Sequence, residues 1–183
     1  MSEFQIDLIP SFCNNWPEIA IEINGKELWR NHVDHAQTVN VAFEVQPTNC
    51  LYVRYLNKLS GPTEWDTQVD LVGNIIADQN CVIRNFYLAR SRCDFLLHQL
   101  NYHRESGIVE KAPWGFMSHR GYYKFEFPQD IYGWIIKNRV SLLTNTQKRN
   151  SSLDYWNNYL AVSDHTKTQD LLKEINNLLD LLK

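Results

Sequence analysis

The sequence predicts a mainly β protein: an antiparallel β-sandwich or jelly-roll-like domain followed by a C-terminal α-helical extension. Apolar and polar residues alternate in several short segments, as in strands that bury one face. Turn residues recur about every 8–12 residues, and strands do not alternate with helices. Helical spacing appears only toward the end of the sequence. We therefore expect a sandwich domain over residues 1–137 and a helical extension over 138–183.

The clearest predicted element is a β-hairpin. Isoleucines alternate with other residues through Glu18–Ile23, and Asn24-Gly25 follows immediately. A two-residue type I′ turn needs positive φ at both central residues, and Asn-Gly meets that need best. The sequence therefore predicts that Glu18–Ile23 pairs with residues 26–30.

The same alternation predicts further strands along the domain. They fall at residues 39–45, 51–55, 67–72, 75–77, 81–89, 122–127 and 131–136. The apolar segment 93–100 is too short for its pattern to distinguish a strand from a helix. Residues 104–117 carry little periodicity and are predicted to form a loop.

The extension is predicted to end in an amphipathic helix over residues 168–182, after helical segments at 139–147 and 152–161. Its apolar stripe consists of Leu171, Leu172, Ile175, Leu178, Leu179 and Leu182. A helix of about 15 residues is marginal alone in water, so the stripe needs a surface to lie on. That surface is this sandwich, a second copy of the chain or a different protein. The stripe is the predicted interface.

Composition limits the classes of partner. The net charge is −3, which gives no overall attraction for nucleic acids or anionic membranes. No segment approaches the roughly 20 apolar residues of a transmembrane helix, and the first residues do not resemble a signal peptide. We expect a protein that folds in a cytoplasm. Its four cysteines, which form no C-x-x-C pair, are expected to be buried thiols.

Asp66, Asp70 and Asp78 are the candidate cation ligands. Calcium takes six to eight oxygens, which clustered loop carboxylates supply. The competing interpretation is that these carboxylates cap turns. Asp66 and Asp70 are four residues apart, and along a strand they would lie about 13 Å apart, too far to share one ion. Apart from calcium, no cofactor is expected. A hydrolase that uses these carboxylates is the weakest of the functional hypotheses.

Trp65 and Trp114 are the candidate glycan platform, since both lie near predicted loops or strand ends. Exposed aromatic rings stack on sugar faces, although packing in a core or at an interface is the commoner role for such rings. The sequence contains no G-x-S-x-G elbow, P-loop or G-x-G-x-x-G motif. We therefore expect a protein that is not an enzyme.

Part of the domain resembles small β-sandwich proteins of tailed bacteriophages, especially the large contractile-tailed phages of marine hosts. The resemblance spans residues 49–134 and is carried by four short patterns. These are NCLYVRYLNK at 49–58, Asp66-Thr67 with Asp70, GNIIAD at 73–78, and an aromatic segment beginning WGFM at 114–117.

This resemblance implies a virion component, assembled in the host cytoplasm, whose sandwich is related in shape to carbohydrate-binding modules. It identifies no functional residue and leaves tail, baseplate, neck, fibre adaptor and capsid surface open. The leading hypothesis is a structural protein that contacts other virion proteins or its own copies. The alternative is a carbohydrate-binding module, calcium-assisted or not, that recognises a glycan on the host surface.

Overall fold

The computed structural model describes residues 1–59, 66–97, 99–111 and 115–148. Contacts between Cα atoms divide the chain into two units, Met1–Lys137 and Asn138–Lys183. The predicted helices at 152–161 and 168–182, with the whole leucine stripe, lie outside the described residues.

The first unit contains two antiparallel sheets and a separate hairpin. The strands of one sheet are β1 (Ser2–Ser11), β4 (Gln37–Phe43), β8 (Asn80–Leu88), β9 (Ser91–Arg92) and β12 (Phe116–Met117). Their order is β12-β8-β1-β4, with β9 paired to β8. The strands of the other sheet are β2 (Glu18–Ile23), β3 (Lys26–His32), β5 (Thr48–Tyr55), β10 (Asn101–Arg104), β11 (Val109–Lys111) and β13 (Gly121–Pro128). Their order is β11-β10-β13-β5-β2-β3. The hairpin pairs β6 (Thr67–Val69) with β7 (Ile75–Asp78). The helices are α1 (Asp94–Leu97) and α2 (Ile131–Lys148).

The two sheets bury their apolar faces against each other in one core. Phe86 of β8 stacks on Phe125 of β13, with ring centroids 4.7 Å apart, and so joins the two sheets. Phe4 of β1 meets the same Phe86 ring edge-on. The predicted antiparallel β-sandwich is therefore confirmed.

The predicted Asn-Gly hairpin is also confirmed. Asn24 has φ 54° and Gly25 has φ 76°, the positive values that a type I′ turn requires. Ile23 pairs with Lys26 directly across the turn. The sequence therefore determines this turn locally, before any tertiary contact is considered.

The predicted strand at 131–136 is wrong, because these residues form the first turns of α2. Asp130 caps the helix by accepting a hydrogen bond from the Gly133 N–H at 3.0 Å. Ile131 and Ile135 are buried one turn apart, on the face that meets the core. A short apolar run carries no signal that separates these two outcomes.

Three further elements differ from expectation. β1 was not predicted, although it lies between β4 and β8 in its sheet. The predicted loop at 104–117 contains the short strands β11 and β12, and β10 ends at its first residue. The ambiguous segment 93–100 contains the single-turn helix α1.

Three of the four cysteine thiols are buried, as expected: Cys13, Cys81 and Cys93. Cys50 is half-buried, on the face of β5 that points away from the core. Burial raises the pKa of the Cys81 thiol to about 12. That thiol therefore stays protonated, and unreactive, at neutral pH.

Candidate functional site

The β6–β7 hairpin is the most exposed apolar feature of the described residues. It belongs to neither large sheet, and among the described strands its two strands pair only with each other. Five large apolar side chains on it are more than half exposed: Val69 (55%), Leu71 (107%), Val72 (81%), Ile75 (65%) and Ile76 (65%). So many exposed apolar side chains on one short hairpin favour an interaction site. We call these five side chains the hairpin patch.

Asp70 fixes the tip of this hairpin. Its Oδ1 accepts hydrogen bonds from the backbone N–H of Val72 at 2.9 Å and of Asn74 at 2.8 Å. Its Oδ2 accepts one from the Asn74 side-chain amide at 2.9 Å. The Asn74 side chain, and then its backbone, lower the pKa of Asp70. Gly73, at φ 91°, supplies the left-handed residue that closes the turn.

The base of the hairpin holds the other two predicted cation ligands. Asp78 forms an ion pair with Lys58 and accepts a hydrogen bond from the Thr67 hydroxyl. Asp66 is only 4% exposed, and its Oδ2 accepts the Leu59 N–H at 2.8 Å.

The three carboxylates therefore have separate roles: Asp70 caps the turn, Asp78 pairs with a lysine, and Asp66 binds a backbone amide. Within residues 1–59, 66–97, 99–111 and 115–148, no group of three or more His, Cys, Asp or Glu could hold a metal ion. Trp65 and Trp114, the predicted glycan platform, lie outside the described residues. No helix in the described part of the chain is long and apolar enough to cross a membrane.

A second feature lies on the outer face of the six-stranded sheet, and sequence analysis did not predict it. The Tyr122 ring stacks on His103, with centroids 5.0 Å apart and planes 5° apart. Tyr52 meets Tyr122 edge-on at 5.4 Å. The Arg54 guanidinium lies over both tyrosine rings, 4.6 Å from the Tyr52 centroid and 5.3 Å from that of Tyr122. We call Tyr52, Arg54, His103 and Tyr122 the outer-sheet cluster.

The charges around this cluster are paired. Arg54 Nε lies 3.0 Å from Glu22 Oε2, and Arg30 Nε lies 2.7 Å from Glu18 Oε1. Lys124 pairs with Glu126 on the same face. The cluster therefore combines half-buried aromatic rings with hydrogen-bonding groups of balanced charge, which suits an uncharged polar ligand.

Cross-strand register, which single-strand patterns do not reveal, brings the cluster together. Tyr122 is opposite Arg54 in the pairing of β13 with β5, and His103 is opposite Tyr122 in the pairing of β10 with β13. The sequence places Tyr52 and Arg54 on the polar face of their strand. It does not indicate which strand lies beside them.

No protein-family model matches this sequence, and neither does any curated protein. Two solved structures are similar in fold. The first is vCBM60 in complex with galactobiose: the TM-score is 0.44 at 10% identity, and the match covers 67% of this chain and 96% of that chain. The second is the selenomethionine form of vCBM60, from work on circular permutation between two families of calcium-dependent carbohydrate binding modules. Here the TM-score is 0.47 at 8% identity, and the match covers 68% of this chain and 90% of that chain. The similarity is one of fold.

Proposed function

We propose that this chain is a non-catalytic assembly protein that docks on a different protein through the hairpin patch. The exposure of five large apolar side chains on one hairpin carries the proposal. Burying such a side chain is worth about 1.5–3 kcal/mol. Because Asp70 and Gly73 fix the turn, little ordering entropy is lost when the hairpin binds.

Charge complementarity favours a particular kind of partner. Residues 66–79 contain three aspartates and no lysine or arginine. Asp78 is paired with Lys58 and Asp66 is buried, so the charge that matters is that of Asp70 at the tip. Two hairpins pairing with each other would bring one Asp70 toward the other, and an anionic lipid surface would repel the same carboxylate. The partner is therefore a protein with an apolar pocket rimmed by lysine or arginine.

The proposed setting is a bacteriophage particle, which the resemblance over residues 49–134 implies. The partner is then another virion protein, and the place of action is the assembled virion.

The test is incorporation into particles. In purified virions of the source phage, quantitative mass spectrometry is expected to detect the wild-type chain. Replacing Leu71 and Val72 with serine is expected to lower its copy number more than tenfold, because two anchors leave the partner pocket. Both side chains are exposed in the free protein, so its thermal stability should stay unchanged.

The matched control replaces Ile108 and Val109 with serine. These two side chains are also about half exposed, but they lie where β10 turns into β11. This variant should enter particles at the wild-type level. Virions that lack the chain would refute the virion setting. Equal incorporation of both variants would refute the hairpin as the docking element.

The outer-sheet cluster supports a second function, the binding of a neutral glycan on the host surface. Tyrosine rings offer faces and edges to a pyranose, and Arg54 and Glu22 offer hydrogen bonds to its hydroxyls. The paired charges favour a neutral sugar over an acidic one.

A glycan array followed by calorimetry tests this second function. A neutral oligosaccharide is expected to bind the wild-type protein, and Tyr122→Ala should weaken binding at least tenfold. Tyr87→Ala removes a half-buried tyrosine from the other sheet and should leave the affinity unchanged. This function would be contradicted if no glycan on the array binds the wild-type protein, or if both variants lose affinity equally.

A further inference from the structure

Lys58 and Asp78 form an enclosed ion pair at the base of the β6–β7 hairpin. Lys58 is 6% exposed, the Asp78 side chain is 16% exposed, and the lysine Nζ contacts the aspartate Oδ1. The two residues are 20 apart in sequence. Lys58 lies three residues beyond the end of β5, and Asp78 is the last residue of β7. A primary amine and a carboxyl group are thus held in contact with little water.

A second carboxyl group, that of Asp66, belongs to the same enclosure. Its Oδ2 is bound by the N–H of Leu59, the residue next to Lys58. Its backbone C=O accepts the N–H of Gln79, the residue next to Asp78. Asp66 is therefore tied to the chain on both sides of the ion pair.

The pKa of the buried Cys13 thiol responds to the same three charged groups. Burial raises its pKa first, the charges of Asp66 and Asp78 raise it further, and the charge of Lys58 lowers it. The amine and the two carboxyl groups therefore all act electrostatically on one buried side chain.

We propose that Lys58 and Asp78 join in an intramolecular isopeptide bond, with Asp66 relaying the proton. Moving a proton from the ammonium to the Asp78 carboxylate gives a neutral amine and a neutral acid, the two forms that react with each other. Lys58 Nζ then attacks Asp78 Cγ, and a C–N bond forms.

The step balances without an oxidant, a reductant or a cofactor. The carbonyl carbon passes through a tetrahedral intermediate, Asp66 takes a proton from the nitrogen and delivers it to the departing hydroxyl, and the Cγ–O bond breaks. One water molecule leaves. The Thr67 hydroxyl, which donates to Asp78 Oδ1, stabilises the negative charge that develops on that oxygen.

Proximity makes this condensation feasible in water. Groups held in reacting geometry reach effective molarities of about 10⁵–10⁸ M, which offsets the tendency of bulk water to keep an amine and an acid apart. The bond would close a covalent loop from Lys58 to Asp78 and would join the base of the β6–β7 hairpin to the segment that follows β5. This inference does not depend on the partner proposed for the hairpin.

Mass spectrometry of the full chain is the test. The wild-type protein is expected to be lighter than its sequence mass by one water molecule. Trypsin cuts after lysine and arginine, so unmodified protein yields residues 55–58 and 59–84 as separate peptides. The cross-linked protein instead yields residues 55–84 as one peptide, uncut at Lys58 and lighter by one water.

Two variants make the test specific. Lys58→Arg keeps the positive charge but removes the amine, and should have the full sequence mass. Asp66→Asn keeps both reacting groups, and should lower the cross-linked fraction more than tenfold. Wild-type protein of full sequence mass that trypsin cuts after Lys58 would overturn the proposal. Loss of water with normal cleavage at Lys58 would also overturn it, because the loss would then have occurred elsewhere. The wild-type measurement decides even if a variant fails to fold.

Discussion

Replacing Phe86 with alanine is expected to lower the free energy of unfolding by about 3–5 kcal/mol. The side chain is fully buried, stacks on Phe125 of the opposite sheet and contacts Phe4 beside it. Its removal leaves a cavity between the two sheets, where both backbones are fixed by their strand pairing. Urea unfolding followed by tryptophan fluorescence would measure the loss.

Phe12→Ala is the control for this prediction. Phe12 is half exposed and packs against Trp16 outside the core, so its loss should cost about 1 kcal/mol or less. Equal costs for the two variants would show that the Phe86–Phe125 stack does not hold the sheets together.

Replacing Asn49 with alanine is expected to cost about 2–4 kcal/mol, although no apolar side chain is lost. Asn49 is fully buried, and its Oδ1 accepts hydrogen bonds from the Gln46 N–H at 2.9 Å and the Asn24 amide at 3.1 Å. Its Nδ2 donates to the C=O of Gln46 and of Phe127. Alanine would leave several of these polar groups without a partner, at about 1–3 kcal/mol for each that stays buried.

Thermal and urea unfolding of Asn49→Ala would measure this cost, with Asn101→Ala as the control. Asn101 is exposed at the start of β10, so its replacement should change the stability by no more than about 0.5 kcal/mol. A near-neutral result at Asn49 would mean that water replaces the lost side chain. The hydrogen bonds of Asn49 would then not stabilise the link between the Asn24-Gly25 turn and β13.

The strands that the sequence predicts well are those with one apolar face. Residues 51, 53 and 55 are buried, as their alternation predicts, and so are 123, 125 and 127. The Asn24-Gly25 turn is predicted for a different reason, because its backbone conformation depends on those two residues alone. In both cases the information is local.

The two elements that were predicted wrongly differ in cause. β1 carries the same local alternation, with Phe4, Ile6 and Leu8 buried, and was missed although that signal is present in the sequence. At 131–136, the Asp130 cap and burial of Ile131 and Ile135 in the core favour a helix. Periodicity alone does not distinguish a helix from a strand in so short an apolar segment.

The candidate sites show the same limit. The sequence identified Asp66, Asp70 and Asp78, but the same carboxylates suit a cation, a turn cap or an ion pair. The hairpin patch was not predicted: the sequence indicated only strands at 67–72 and 75–77, and an apolar pattern does not reveal whether the rest of the chain covers it. Exposure is a tertiary property, and only the structure shows these five side chains open to solvent.

The position of β1 has a consequence for how this domain is made. On the ribosome this strand is synthesised before both of its neighbours, and the last residues of β8 follow about 80 positions later. At about 5–20 residues per second, that interval is of the order of 4–16 s. Throughout it, the edge of β1 that pairs with β8 stays unpaired, whereas β4 becomes available earlier, once residues 37–43 are made. The sheet therefore completes late in translation. The nascent chain is therefore a client for chaperones that bind extended apolar segments, and slower translation before residue 80 would prolong that exposure.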